Sequence, residues 1–187
     1  MNVEEKLAVV EEAAQDLCSI SDNIVKAYAQ ELDDLMTDLR RDIIEKEGTD
    51  RELEGYLFEL GNLIYFLGSK LETVGLKEDI SKLLVKECYN NAYLTNRLKD
   101  SEQKNKMTVA ELTALAENTS KEDSAVNAIY SKVYKQLKYK IDAAYDMVNS
   151  IRKIITRRMQ EISLSNSFGN RDSISFNPKA DEETLAF

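Results

Sequence analysis

Histidine and tryptophan are absent from this chain of 187 residues, proline occurs once and glycine six times. Without histidine there is no imidazole metal site, no Ser-His-Asp or Cys-His nucleophile system, and none of the commonest general base at neutral pH. Di-iron helical bundles need Glu-x-x-His pairs and are excluded for the same reason. The lone proline, Pro178, stands almost at the end, so nothing ahead of it forces a helix to break. Gly55, Gly61, Gly68 and Gly75 are spread at intervals of six or seven and are not gathered into a phosphate-cradling loop. These absences leave little from which to build an enzyme; no catalytic residue, metal or cofactor is expected.

No stretch approaches the roughly 18 apolar residues of a membrane span, and the opening residues MNVEEKLAVVEEAAQD are acidic where a secretory signal is basic. A soluble, cytoplasmic protein with no membrane partner is expected. Cys18 and Cys88 fall within helical patterns at no partner spacing and read as small buried hydrophobes in a reducing compartment.

What the chain has is helical period and segregated charge. Charged residues make up 32% and apolar ones 43%, the composition of an all-α, coiled-coil-leaning protein. Residues 3–46 lack Gly and Pro, and Leu7, Val10, Ala14, Leu17, Ser21, Ile24 and Tyr28 follow a 3-4 spacing that continues by fours to Leu32, Leu35, Leu39 and Ile43. Gly48 is placed to end that helix. Thr49 and Glu52 form a capping box opening a second helix, whose seam of Leu53, Leu57, Leu60, Ile64, Leu67, Leu71 and Val74 alternates four-three throughout. Gly61 and Gly68, each one position after a seam leucine, either admit a close helix neighbour or are tolerated faults.

Gly75 is expected to break the pattern, with a third helix over 76–99 burying Ile80, Leu83, Leu84, Cys88, Asn91, Leu94 and Leu98. A polar connection at 100–107 leads to a second capping box, Thr108 with Glu111, opening a short helix to about residue 117. Ser120 reads as the N-cap of a last long helix over 121–163, with Val126, Tyr130, Val133, Leu137, Ile141, Ala144, Val148, Ile151, Ile155 and Ile162 inward. Residues 164–187 have no helical period and are rich in Ser and Asn, which predicts a disordered tail after a helical domain of 1–163. The fold class is therefore all-α, an elongated antiparallel helical bundle or coiled coil. Its seams exceed what the helices of one chain would normally bury, so a homo-oligomer is expected.

Charge divides along these rods. Residues 1–60 hold six Lys and Arg against 17 Asp and Glu, whereas residues 121–164 hold nine against five. In the final helix Lys132, Lys135, Lys138, Arg152, Lys153, Arg157 and Arg158 could neutralise phosphates while Tyr134 and Tyr139 stack on bases, a mixture suited to single-stranded nucleic acid. The same residues also read, and more simply, as a solvated face pairing with the acidic first helix, in its own chain or a neighbour. The acidic helix in turn is either a solvated coiled-coil exterior or a mimic of a nucleic-acid backbone. The tip Asp181, Glu182 and Glu183, followed by Phe187 and its carboxylate, has the chemistry of an anchor that meets a basic-rimmed pocket, or is a solubilising end.

At residues 106–162 the chain resembles a known group. Lys106-Met107-Thr108-Val109-Ala110-Glu111-Leu112-Thr113-Ala114 is similar to the K-x-T-x-x-E-L-x-A segment of small helical phage proteins, and the long Tyr- and Lys-rich helix that follows ends in Met147 through Arg158, MVNSIRKIITRR. Such proteins are grouped with the recombination mediators of T-even phages. The resemblance implies a ring-forming oligomer that binds single-stranded DNA, helps displace a single-strand-binding protein and loads a recombinase. It extends the basic set to Lys99, Lys104 and Lys106. The long acidic first helix and the length of the chain depart from that group. They leave open a non-enzymatic structural or inhibitory interaction protein, either a virion or scaffold component or an acidic DNA mimic.

Overall fold

The structure, a computed structural model, describes residues 3–46, 48–101 and 107–169. They form four helices, α1 (Val3–Lys46), α2 (Asp50–Ser101), α3 (Val109–Thr119) and α4 (Lys121–Gly169), with no strand among the described residues. At 1.5 Å per residue α2 alone is about 78 Å long, so the molecule is a rod. Among the described residues no helix is long and apolar enough to cross a membrane.

The helix starts follow from short-range chemistry. The Thr49 backbone N–H donates to Glu52 Oε2 at 2.7 Å while the Glu52 N–H donates to Thr49 Oγ1 at 3.3 Å. Thr108 and Glu111 repeat the box with the same two distances. Each box satisfies two N–H groups that a helix start otherwise leaves open. Beyond the end of α1, the Gly48 N–H reaches the Asp42 carbonyl at 3.2 Å.

α1 and α2 form an antiparallel hairpin, tied by a hydrogen bond from the Tyr56 hydroxyl to Asp42. α4 returns antiparallel to α2 and therefore lies parallel to α1. Their pairing runs in order from Asp22 with Lys132 to Asp33 with Lys140, and Arg158 of α4 then reaches Asp50 at the start of α2. The core lies where all three meet. Leu32 and Leu39 of α1, Leu53, Leu60 and Val74 of α2, and Val133, Leu137 and Ile151 of α4 are at most 2% exposed. α3 packs on the C-terminal part of α2 and is not reached by α1.

Several expectations need correction. First, Gly75 does not break a helix: α2 runs through it without interruption. A glycine in a helix interior costs only about 1 kcal/mol relative to alanine, and this one serves packing, since a Cβ there would stand 3.2 Å from Cε2 of Tyr134. Gly61 and Gly68 have nothing within 4 Å of a built Cβ, so no neighbour in the same chain uses their space.

Second, because α2 continues, its seam past Val74 is carried on by Glu78, Ser81, Val85, Cys88 and Ala92, which are buried or half-buried. The stripe expected inside is turned out: Ile80, Leu83, Leu84, Leu94 and Leu98 are exposed, as is Asn91. Third, Ser120 does not cap α4 with its side chain. Its hydroxyl donates to the Glu117 carbonyl at 3.2 Å, and it forms a one-residue joint between α3 and α4. Fourth, α4 extends past residue 163 to Gly169, since Ser and Asn lower helix propensity without ending a helix. The tail expected to be disordered otherwise lies outside the described residues.

The seam of α1 is filled over only part of its length. Ser21, Val25, Ala29, Leu32 and Leu39 are buried, but Val3, Leu7, Val10 and Ala14 are exposed. Val126 and Ile162 of α4, expected inward, are also exposed.

Candidate nucleic-acid interface

The basic residues of α4 divide into two sets according to what α1 does to them. Lys132 Nζ lies 3.1 Å from Asp22 Oδ1, which also accepts from Gln136 Nε2 at 3.0 Å. Lys140 pairs with Asp33, and Arg158 Nη1 donates to Asp50 Oδ1 at 2.9 Å and to the Gly48 carbonyl at 2.7 Å. The acidic and basic helices thus pair within one subunit. The hydrogen bond from Gln136, followed by Lys132, holds the Asp22 carboxyl below its ordinary range. Lys132 is raised, first by the thiol of Cys18 and then by Asp22. Arg158 clamps the α1–α2 turn onto α4 and is structural in this fold.

The other set faces water. Lys135, Lys138, Tyr139, Arg152 and Lys153 are exposed along α4, with the exposed Asp142 and Asp146 between them. Arg157 is also exposed, but its Nε donates to Glu161 one turn on at 2.9 Å. Tyr134 is half-buried, with its ring against Gly75, and so is less open to a base than Tyr139. From Lys135 to Lys153 the exposed set spans about 27 Å of helix.

Part of this set borders a groove of about 1000 Å³ between α1 and α4. Asp22, Lys26 and Asp33 form its α1 side, and Lys132, Lys135, Tyr139 and Lys140 its α4 side. Oε1 of Gln136, also in the groove wall, is buried without a hydrogen-bond donor. Pairing within the groove leaves its electrostatics mixed. The less compensated positive charge lies outside it, at Lys138, Arg152 and Lys153.

Lys99 is exposed at the far end of α2. Lys104, Lys106, Asp181, Glu182, Glu183 and Phe187 lie outside the described residues. Cys18 and Cys88 are half-buried and free; hydrogen bonding to Asp123, then burial, pushes the Cys88 thiol up, away from thiolate chemistry. Among the described residues no group of Cys, Asp and Glu could hold a metal ion.

Sequence reasoning missed one functional candidate, an outward apolar face on α2. Phe58, Tyr65 and Phe66 are 72%, 76% and 63% exposed. The signal was present, since those aromatics fall opposite the four-three seam, but a strong first seam draws attention from a second. No protein-family model, curated protein or solved structure matches this chain.

Proposed function

We propose that this protein is a non-enzymatic accessory of DNA recombination or replication, of the phage type, that self-associates and binds single-stranded DNA along the outward side of α4. The observation that supports this reading is the exposed set Lys135, Lys138, Tyr139, Arg152 and Lys153 on one continuous helix. A single strand offers regularly spaced phosphates and unstacked bases, and cations interleaved with a flat ring answer both. Lys132 and Arg158, held by α1 and the turn, leave the contact set. A recombinase or a single-strand-binding protein is the partner that such an accessory would hand the strand to or take it from.

The test is fluorescence anisotropy of a labelled oligothymidine at low and near-physiological salt, beside a duplex control. Salt-sensitive binding that favours the single strand is expected. The Lys135→Glu/Lys138→Glu double variant should weaken it at least tenfold and flatten the log–log salt slope by about 1.4, at roughly 0.7 per lost phosphate contact. No binding by the wild-type chain at low salt overturns the reading.

A second reading, an assembly or inhibitory protein that binds no nucleic acid, is favoured by a separate observation. α1 already occupies Lys132 and Lys140 with carboxylates, and the overall formal charge is −9. In that case the same titration gives no signal, and the exposed apolar faces are the working surface.

A further inference from the structure

α2 is apolar on two opposite sides. Its inward side meets α4 and the end of α1. Its outward side carries Phe58, Tyr65, Phe66, Leu76, Ile80 and Leu83, each between 47% and 76% exposed. Tyr65 and Phe66 touch edge to face at a centroid distance of 5.5 Å, so the aromatic end of the face is preassembled.

Size argues that this face is covered in the working molecule. A buried aromatic side chain removes about 150–250 Å² from water, so three that are roughly two-thirds exposed leave on the order of 400 Å² bare. That already matches the largest apolar patch of an ordinary monomer, roughly 300–600 Å². The three aliphatic residues carry the face toward the roughly 800 Å² that each partner contributes to a stable interface.

Charge argues for what covers it. Residues 55–69, the aromatic end of the face, contain one charged residue, Glu59, in a chain that is 32% charged, and residues 70–83, its aliphatic end, hold Lys70, Lys77 and Lys82 against Glu72, Glu78 and Asp79. A partner selected by a strong charge of one sign would find none along this stretch. A second copy finds almost no net charge here to repel it, which matters between molecules of −9 each. Gly61 and Gly68 border the face with open space where a Cβ would be, leaving room for a helix to approach closely. The chain's own remainder is a poor cover. The 18 residues after Gly169 offer only Ile174, Phe176, Leu185 and Phe187 as large apolar groups, with four acids and Pro178 among them.

We infer that the outward face of α2 is the self-association surface of this protein, packing on the same face of a second copy. An isologous contact of this kind closes on itself, covering both apolar faces at once. The inference rests on the self-association part of the proposed function and not on its nucleic-acid part.

The experiment is sedimentation equilibrium of the full chain between about 1 and 100 µM. It compares wild type with Phe58→Glu/Tyr65→Glu and with the control Met159→Glu, which alters an equally exposed residue of α4. Wild type and control should sediment with the mass of two chains, and the double variant as one chain with unchanged helical circular dichroism. Its dissociation constant should rise at least 100-fold. A wild-type monomer at 100 µM, or an oligomer that survives both glutamates, overturns the inference. Oligothymidine titration of the same samples separates the two ideas. An oligomer blind to DNA removes the nucleic-acid reading and leaves this one, whereas a DNA-binding monomer does the reverse.

Discussion

Asp42 is the acceptor on which the α1–α2 hairpin turns, and the residue it serves, Tyr56, responds to pH. Hydrogen bonding to Asp42, with burial second, raises the Tyr56 hydroxyl from 10.0 to about 12. A folded-state pKa above the unfolded one means stabilisation that is complete below about pH 10 and is lost as pH climbs through about 12. Tyr56→Phe should therefore cost about 1 kcal/mol at pH 8 and lose less melting temperature than wild type between pH 9.5 and 11.5. Parallel melting curves for the two proteins across that range would refute the hydrogen bond's role. Asp22 responds at the opposite end of the scale. Its carboxyl is depressed, so its contribution is present above the ordinary aspartate range and disappears as acid reprotonates it.

α1 is fastened to α4 by two kinds of contact of unequal strength. The ion pairs of Asp22 and Asp33 are partly exposed, so solvent and salt screen them and they add little. Leu39 is fully buried between the helices. Leu39→Ala should cost about 3 kcal/mol, and Asp33→Asn no more than about 1, both measured by urea unfolding. Equal losses would mean that charge, not apolar burial, seats α1.

The elements also show how far the sequence could be read. Capping boxes at Thr49 and Thr108 and the seam from Leu53 to Val74 were legible because capping and period are local. Gly75 misled because a glycine signals both a stop and a close contact. Only the position of Tyr134, which is non-local, decides between them. From that one error followed the inversion of the stripe over 76–98. The candidate interface was legible as a composition of α4. Which lysines remain free was not, because it depends on the parallel register of α1 and α4, set by buried leucines far apart in sequence.

At the scale of the molecule, three helices share a core along the stretch from Ser21 to Leu39 and its neighbours, while the first turns of α1 have no cover. Val3, Leu7 and Val10 lie in the seam yet remain exposed. Short of tertiary packing, a helix of about 14 residues is marginal in water. Amide hydrogen exchange should show residues 3–16 opening at least 100-fold faster than residues 53–74. Uniform protection along α1 would mean that its first turns are covered in solution, and a second copy would be the first place to look for the cover.

The parallel arrangement of α1 and α4 has a consequence for how the chain is made. Asp22 meets Lys132 across 110 positions of sequence, so α1 leaves the ribosome long before the helix that seats it. At roughly 5–20 residues per second, its acidic rod waits about 5–20 s with only the hairpin to α2 for shelter. Every growing chain passes through a stage in which its most negative element is unclaimed. During that interval the −11 of the first 60 residues is like charge by which neighbouring nascent chains repel one another.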